Sequence, residues 1–231
     1  MPKVIYDFGA NNGDDIPYYL LKSDLVVAVE ANPVLCDSIR ERFPEELEDG
    51  RLVVENCVLN VEPTDGVVPF YLSTDKHVLS QFPKPTTNVE SFTVVHLPSK
   101  QPGHVIAQHG EPFYVKIDLE HYDAEDLRDL FGSGIFPPYI SAEAHTADVF
   151  DALVRHGAYT GFKLVDGYTV QFHYGDCRIE TEYGLVDYSF PFHSAGPFGN
   201  DISGPWMTTE NFSDMLSAVG FGWKDIHATN V

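Results

Sequence analysis

The stretch best suited to hold a ligand is Asp7-Phe8-Gly9-Ala10-Asn11-Asn12-Gly13-Asp14-Asp15, between an apolar run and a helix-like period. Gly9 and Gly13 permit a sharp turn and let a ligand approach the backbone with no Cβ in the way. A turn of this kind at the end of a first strand is where open α/β sheets bind nucleotides. Charge decides which nucleotide. The dinucleotide fingerprint G-x-G-x-x-G lays a pyrophosphate over a helix N-terminus, where free N–H groups and the positive dipole end meet the anion. Here Asn11 stands in place of the second glycine, and Asp14 and Asp15 occupy the helix start, where they offset the dipole and repel a pyrophosphate. S-adenosylmethionine (SAM) has no phosphate and carries a sulfonium and an ammonium, so a carboxylate-lined pocket suits it. Asp7 is then a candidate partner for its methionyl part. Glu30, 17 positions beyond Gly13, is placed to accept hydrogen bonds from both ribose hydroxyls. Ala31 and Asn32 follow it into the next helix, and Asn56 to Asn60 are expected to border the adenine, with Asn60 as a cofactor contact.

A second group of reactive side chains falls at two later strand ends: Asp118, Glu120 and His121, then Glu143 and His145. Transfer of an alkyl group from a sulfonium is an in-line displacement, so the protein has mainly to orient the acceptor and remove its proton. A side chain of suitable pKa helps that proton leave. Asp118 and Glu120 lie where the acceptor should enter. His121 is the first candidate for the base and His145 the second, because imidazole titrates in the useful range. Lys116 reads as a structural partner for carboxylates, and Asp118 also as a helix cap. The five acidic and imidazole groups offer oxygen and nitrogen donors for Mg²⁺ or Mn²⁺. Their spacing matches no dedicated metal motif, so no metal ligand is assigned.

Apolar runs alternating with helical periods position these residues. Strands are expected at Lys3 to Phe8, Leu25 to Glu30, Leu52 to Val58, 67–72, 91–97, Phe113 to Ile117, Tyr139 to Ala142 and Gly161 to Val165, with Tyr168 to His173 returning antiparallel. Helices are expected at Asp14 to Lys22, Pro33 to Phe43, 103–109, Ala124 to Phe131, Ala147 to His156 and Thr209 to Val219, the last capped by Thr208 or Thr209. The order predicts one doubly wound α/β domain over 1–231, with a mostly parallel seven-stranded sheet and helices on both faces. Segments 73–112 and 175–208 are expected to be loop or lid insertions. The aromatic stretch Tyr188-Ser189-Phe190-Pro191-Phe192-His193, with Gly196-Pro197-Phe198-Gly199, reads equally as an acceptor wall or a satellite core.

A formal charge of −21 argues against a nucleic-acid backbone or an anionic membrane as partner and favours a small-molecule acceptor. No run of about 18 apolar residues occurs, and Met1-Pro2-Lys3 passes directly into Val4-Ile5-Tyr6, so a cytoplasmic chain is expected. The three cysteines, Cys36, Cys57 and Cys177, show no C-x-x-C spacing and read as reduced.

Several of these motifs together resemble the FkbM-type methyltransferases, a branch of the class I SAM-dependent enzymes with a Rossmann-like fold. Asp7 to Gly13 resembles the family's first motif and Val27-Ala28-Val29-Glu30-Ala31-Asn32-Pro33 its second-strand motif. Lys116-Ile117-Asp118-Leu119-Glu120 is similar to its Lys-x-Asp-x-Glu element, and Tyr139-Ile140-Ser141-Ala142-Glu143 to the strand that follows. Gly161-Phe162-Lys163-Leu164-Val165 matches some members. The likeness spans about 3–165, and more loosely Gly204-Pro205-Trp206 and Trp223-Lys224-Asp225-Ile226-His227. It implies methyl transfer from SAM, usually to a hydroxyl oxygen of a sugar or other small secondary metabolite. The family usually has Gly after that Glu; this chain has His121, which adds a candidate base. The competing readings are an NAD-dependent oxidoreductase, disfavoured by the missing fingerprint, and a SAM- or glycan-binding module without catalysis.

Overall fold

A computed structural model describes residues 2–62, 66–74 and 79–231. Part of the expected insertion 73–112, residues 75–78, lies outside the described residues.

The chain opens with β1 (Val4–Phe8), α1 (Ile16–Lys22), β2 (Leu25–Glu30), α2 (Pro33–Arg42), the short α3 (Pro44–Glu48) and β3 (Leu52–Asn56). Then come β4 (Val58–Leu59), β5 (Val67–Ser73), β6 (Phe92–Lys100), α4 (Pro102–His109), β7 (Pro112–Ile117), α5 (Asp123–Gly132) and β8 (Tyr139–Glu143). The last third holds α6 (Ala147–Arg155), β9 (Gly161–Asp166), α7 (Val170–His173), β10 (Cys177–Thr181), β11 (Gly184–Tyr188), α8 (Thr209–Val219) and β12 (Lys224–Thr229).

Seven strands form the main sheet in the order β3-β2-β1-β7-β8-β12-β9. β1, β2, β3, β7 and β8 run parallel, and β12 lies antiparallel to both β8 and β9. The order reverses between β1 and β7, so a crevice opens at the carboxyl ends of those strands, where α/β sheets take their ligands. Both faces of the sheet are covered, which is why β1 and β2 read as nearly continuous apolar runs. Along β1, Val4, Tyr6 and Phe8 enter one core, with Leu127 and Leu130 of α5, Leu153 of α6 and Phe212 of α8. Ile5 points the other way, toward Ile16, Tyr18 and Tyr19 of α1 and Ile39 of α2. A smaller sheet, β4-β6-β5, packs Val58, Val68, Phe70 and Leu97 together beside the crevice.

Four expectations need correction. Residues 168–173 are not a returning strand: a 3-10 turn, Gly167–Thr169, leads into α7. The antiparallel strand is β12, whose buried positions include Asp225, His227 and Thr229, so the continuous apolar run of a strand buried on both faces is missing. The third strand breaks at Cys57 into β3 and β4. Asp118 does not cap α5; the Leu119 N–H is instead accepted by Asp123 Oδ1 at 3.0 Å. Thr208 does cap α8, accepting from the Asn211 N–H.

Within 175–208 the hairpin β10–β11 is followed by a stretch buried against the second core. Phe198 stacks on Tyr114 with centroids 4.0 Å apart, and Phe190 packs edge-on to Tyr18. Asp15 anchors this stretch, accepting from the Ser194 hydroxyl and the Ala195 N–H. The three cysteines are free, and among the described residues no helix is long and apolar enough to cross a membrane.

Candidate active site

Between β1 and α1 the chain must turn against the neighbouring strand end. Gly9 does so at φ +88°, where an added Cβ would lie 1.9 Å from the carbonyl oxygen of Asp118. No other residue fits there. The N–H groups of Gly9 and Ala10 both donate to the Val29 carbonyl at 3.0 Å, drawing the loop across β2. That brings the Asn11 N–H to Glu30 Oε2 at 2.8 Å, while the Asn32 N–H donates to Glu30 Oε1 at 2.7 Å. Burial pushes the Glu30 carboxyl up to about 7, against the pull of these two N–H donors. Asn32 also caps α2 through the Val34 N–H, and Asn56 Nδ2 donates to the carbonyls of Glu30 and Ala31.

These residues form one side of a cavity of about 500 Å³. Gly9, Asn11, Glu30, Ala31 and Asp118 line it, and Cys57, Val58 and Leu59 form an apolar floor. Glu120, Glu143 and His145 stand on the far side, with Tyr168, Phe192 and Trp223 beyond them. Asp7, Gly13, Asn32, Asn60 and His121 are not in the wall. At Gly13, φ +77°, a Cβ would meet Ile16 and Ile39, so this glycine serves the packing of α1 on α2. Asn60 is buried and accepts from the Glu62 N–H and the Tyr122 hydroxyl. Asp7 is buried beneath the cleft, 3.5 Å from Lys116 Nζ, which also lies 3.3 Å from Asp118 Oδ2. Burial opposes the Lys116 charge, yet Asp118, Asp7, Asp15 and Asp225 hold its ammonium well above the usual lysine range. Lys116 is thus an ion-paired tie across the β1–β7 reversal.

After β7 two consecutive residues, Glu120 (φ +49°) and His121 (φ +77°), take left-handed backbone. Non-glycine residues in that region are strained by about 1–3 kcal/mol each and persist where surrounding structure imposes them. The result separates the neighbours: Glu120 faces the cavity and His121 faces solvent. His145, just before the Thr146 cap of α6, reaches the cavity from β8. Its Nε2 lies 2.8 Å from Glu143 Oε2 and 3.8 Å from Glu120 Oε2, and its ring centroid is 4.2 Å from that of His121. Carboxylate oxygens of Asp118, Glu120 and Glu143 lie within 4.8 Å of one another. Burial and the nearby Asp118 push the Glu120 and Glu143 carboxyls upward; burial, then His145, lowers His121.

The far wall contains residues with no sequence signal for a site. Trp223 is positioned where the chain enters β12, with the Gly222 N–H on the Ala144 carbonyl at 3.0 Å and the Gly167 N–H on the Trp223 carbonyl at 3.0 Å. Tyr168 meets the Trp223 ring edge-on at 5.0 Å. Phe82 lines the cavity and packs against Tyr122. Each is an isolated aromatic in an irregular segment, without the spacing that marks a motif. Of the aromatic stretch, Phe192 and His193 reach the cavity, whereas Phe190 and Phe198 belong to the core.

Neither a protein-family model nor a curated protein sequence matches this chain. Solved structures do. The methyltransferase FkbM of Methylobacillus flagellatus is similar over 71% of this chain, with 12% identity and a TM-score of 0.48. The chain spans 40% of that protein's length. A precorrin-6y C5,15-methyltransferase of Geobacter metallireducens matches 99% of this chain and 80% of its own, with 11% identity and a TM-score of 0.42. A SAM-dependent O-methyltransferase of Thermotoga maritima matches 98% of this chain and 59% of its own, with 6% identity and a TM-score of 0.42.

Proposed function

We propose that this chain transfers a methyl group from SAM to a hydroxyl on a small-molecule acceptor. The observation that carries the reading is Glu30: a buried carboxylate in the cavity wall, fixed by two backbone N–H groups beside a loop that only Gly9 can make. A carboxylate offers about four lone-pair sites, so two remain for a ribose diol. Four carboxylates, Glu30, Asp118, Glu120 and Glu143, line the cavity, and none of its described lining residues is Lys or Arg. An acidic wall with no Lys or Arg among its described residues suits a sulfonium and an ammonium better than a pyrophosphate. Asp15, turned toward Ser194 and Ala195, leaves the start of α1 no better suited to an anion.

When bound, the cofactor would supply a methyl group on sulfur for transfer to the acceptor oxygen, with the hydroxyl proton released and the sulfur left as a neutral thioether. Gly9, Asn11, Glu30 and Ala31 hold the nucleoside, and Asp118 sits between it and the acceptor side. Glu120, Glu143 and His145 stand where the acceptor hydroxyl rests and loses its proton. Tyr168, Phe192 and Trp223 offer flat faces to an apolar or sugar acceptor. The chain works as one unit over 1–231, with 73–112 contributing Phe82 to the wall and 175–208 contributing Phe192 and His193.

Calorimetry with SAM and with NAD⁺ tests the cofactor: SAM is expected to bind in a single site and NAD⁺ to give no heat. The reverse result overturns the reading. Mass spectrometry of hydroxylated metabolites incubated with isotopically labelled donor then identifies the acceptor.

A further inference from the structure

Glu120, Glu143, His145 and His121 come from two separate strand ends, and Glu120 belongs to two groups of potential ligand atoms that lie close together. Ligand atoms of Glu120, His121 and His145 lie within 4.8 Å of one another, as do those of Asp118, Glu120 and Glu143. Glu143 is 5% exposed and its Oε2 has no hydrogen-bond partner among the described residues; neither does His145 Nε2. These two atoms are nevertheless only 2.8 Å apart. A proton shared between them would align the pair, and it is not aligned. Nitrogen and oxygen donors this close without a hydrogen bond between them have the spacing of neighbouring ligands around a cation. An ion about 2.1 Å from each donor holds adjacent ligands about 3.0 Å apart and opposite ones about 4.2 Å apart. The separations of 2.8 Å to Glu143 and 3.8 Å to Glu120 from His145 Nε2 fall near these limits.

We propose that Glu120, Glu143 and His145, with His121 as a fourth donor from the solvent side, bind one divalent transition-metal ion. The mixture of carboxylate oxygen and imidazole nitrogen selects the class: Mg²⁺ and Ca²⁺ prefer all-oxygen shells, whereas Mn²⁺, Fe²⁺, Co²⁺ and Zn²⁺ accept both donors. Asp118, on the cofactor side, adds negative charge next to the ion. The paired left-handed residues keep ligand atoms of both Glu120 and His121 within 4.8 Å of His145 although the two are adjacent in the chain. This inference deepens the methyl-transfer reading and rests on it for its role in the reaction: an ion here would bind the acceptor oxygen and lower its pKa. The metal site itself stands on the side-chain geometry alone.

The test uses the full chain, stripped with chelator, and Mn²⁺ alone as probe, with free Mn²⁺ counted by electron paramagnetic resonance. One saturable site per chain is expected, at least about 10-fold weaker in Glu120→Gln and in His145→Gln. Substitution of the exposed, distant Glu41 (Glu41→Gln) should change nothing. Absence of saturable binding in the wild-type protein overturns the proposal, whatever the variants do. So does binding that Glu120→Gln and His145→Gln, checked for fold by circular dichroism, both leave unchanged. SAM calorimetry in excess chelator separates the two readings. SAM binding without Mn²⁺ binding sinks only the metal site, and Mn²⁺ binding without SAM binding sinks only the methyl-transfer reading.

Discussion

At the β1–β2 end of the cavity a carboxylate is held by backbone, and at the β7–β8 end carboxylates crowd one another. Glu30 engages one N–H on each oxygen and sits beside a glycine turn that is itself hydrogen-bonded to β2. Asp118, Glu120 and Glu143 instead bring three carboxyl groups from two strand ends within 4.8 Å, one of them on left-handed backbone, and Glu143 Oε2 and His145 Nε2 have no hydrogen bonds. The first arrangement has both carboxylate oxygens engaged by backbone before any ligand arrives. The second leaves buried donor and acceptor atoms unpaired, the kind of arrangement that perturbs pKa values at a cleft.

The contrast can be broken most forcefully at Gly9. Gly9→Ala sets a Cβ on the Asp118 carbonyl at an unfavourable φ, and should destabilise the protein by about 3 kcal/mol or more in urea denaturation. Near-wild-type stability would show that the cradle is not rigid. Next is Glu30→Gln, which should weaken SAM binding about 10- to 100-fold through lost charge-assisted hydrogen bonds. Because burial raises Glu30 to about 7, wild-type affinity should increase with pH from 6 to 8, and the variant should lose that dependence. The sign for stability is opposite: the native state holds this proton longer than the unfolded chain, so folding weakens as pH rises from 4.5 to about 7.

A smaller and reversed effect is expected at the other end. Glu143→Gln removes one of three crowded carboxylates and should stabilise the metal-free protein at pH 8, on the order of 1 kcal/mol in thermal unfolding. Destabilisation there would erase the distinction between the two ends. Smallest is Asp14→Asn, which breaks a partly exposed ion pair to Arg42 at 3.1 Å and should shift stability by no more than about 0.5 kcal/mol by urea denaturation.

The cradle was legible in the sequence because its information is local. Gly9, Asn11 and Glu30 lie in one β1–α1–β2 unit, and all three line the cavity as their spacing suggested. Gly13, Asn32 and Asn60 belong to the same local reading; outside the cavity wall, they are engaged in packing, capping and loop bonding. His121 stood out as an imidazole next to the acidic motif. Spacing along the chain does not report that a left-handed pair turns it outward while His145 reaches in from another strand.

By itself the sequence determined the alternation of strands and helices, the parallel half of the sheet and the glycine turn, since each is written in the period of apolar residues or in a backbone only glycine adopts. Tertiary structure alone decided that β12 inserts between β8 and β9, that residues 190–202 seal one face of the sheet, and that two glutamates and a histidine meet. Those outcomes depend on which strand ends become neighbours after folding. Buried polar residues such as Asp225 and His227 interrupt the continuous apolar run from which that choice could be read.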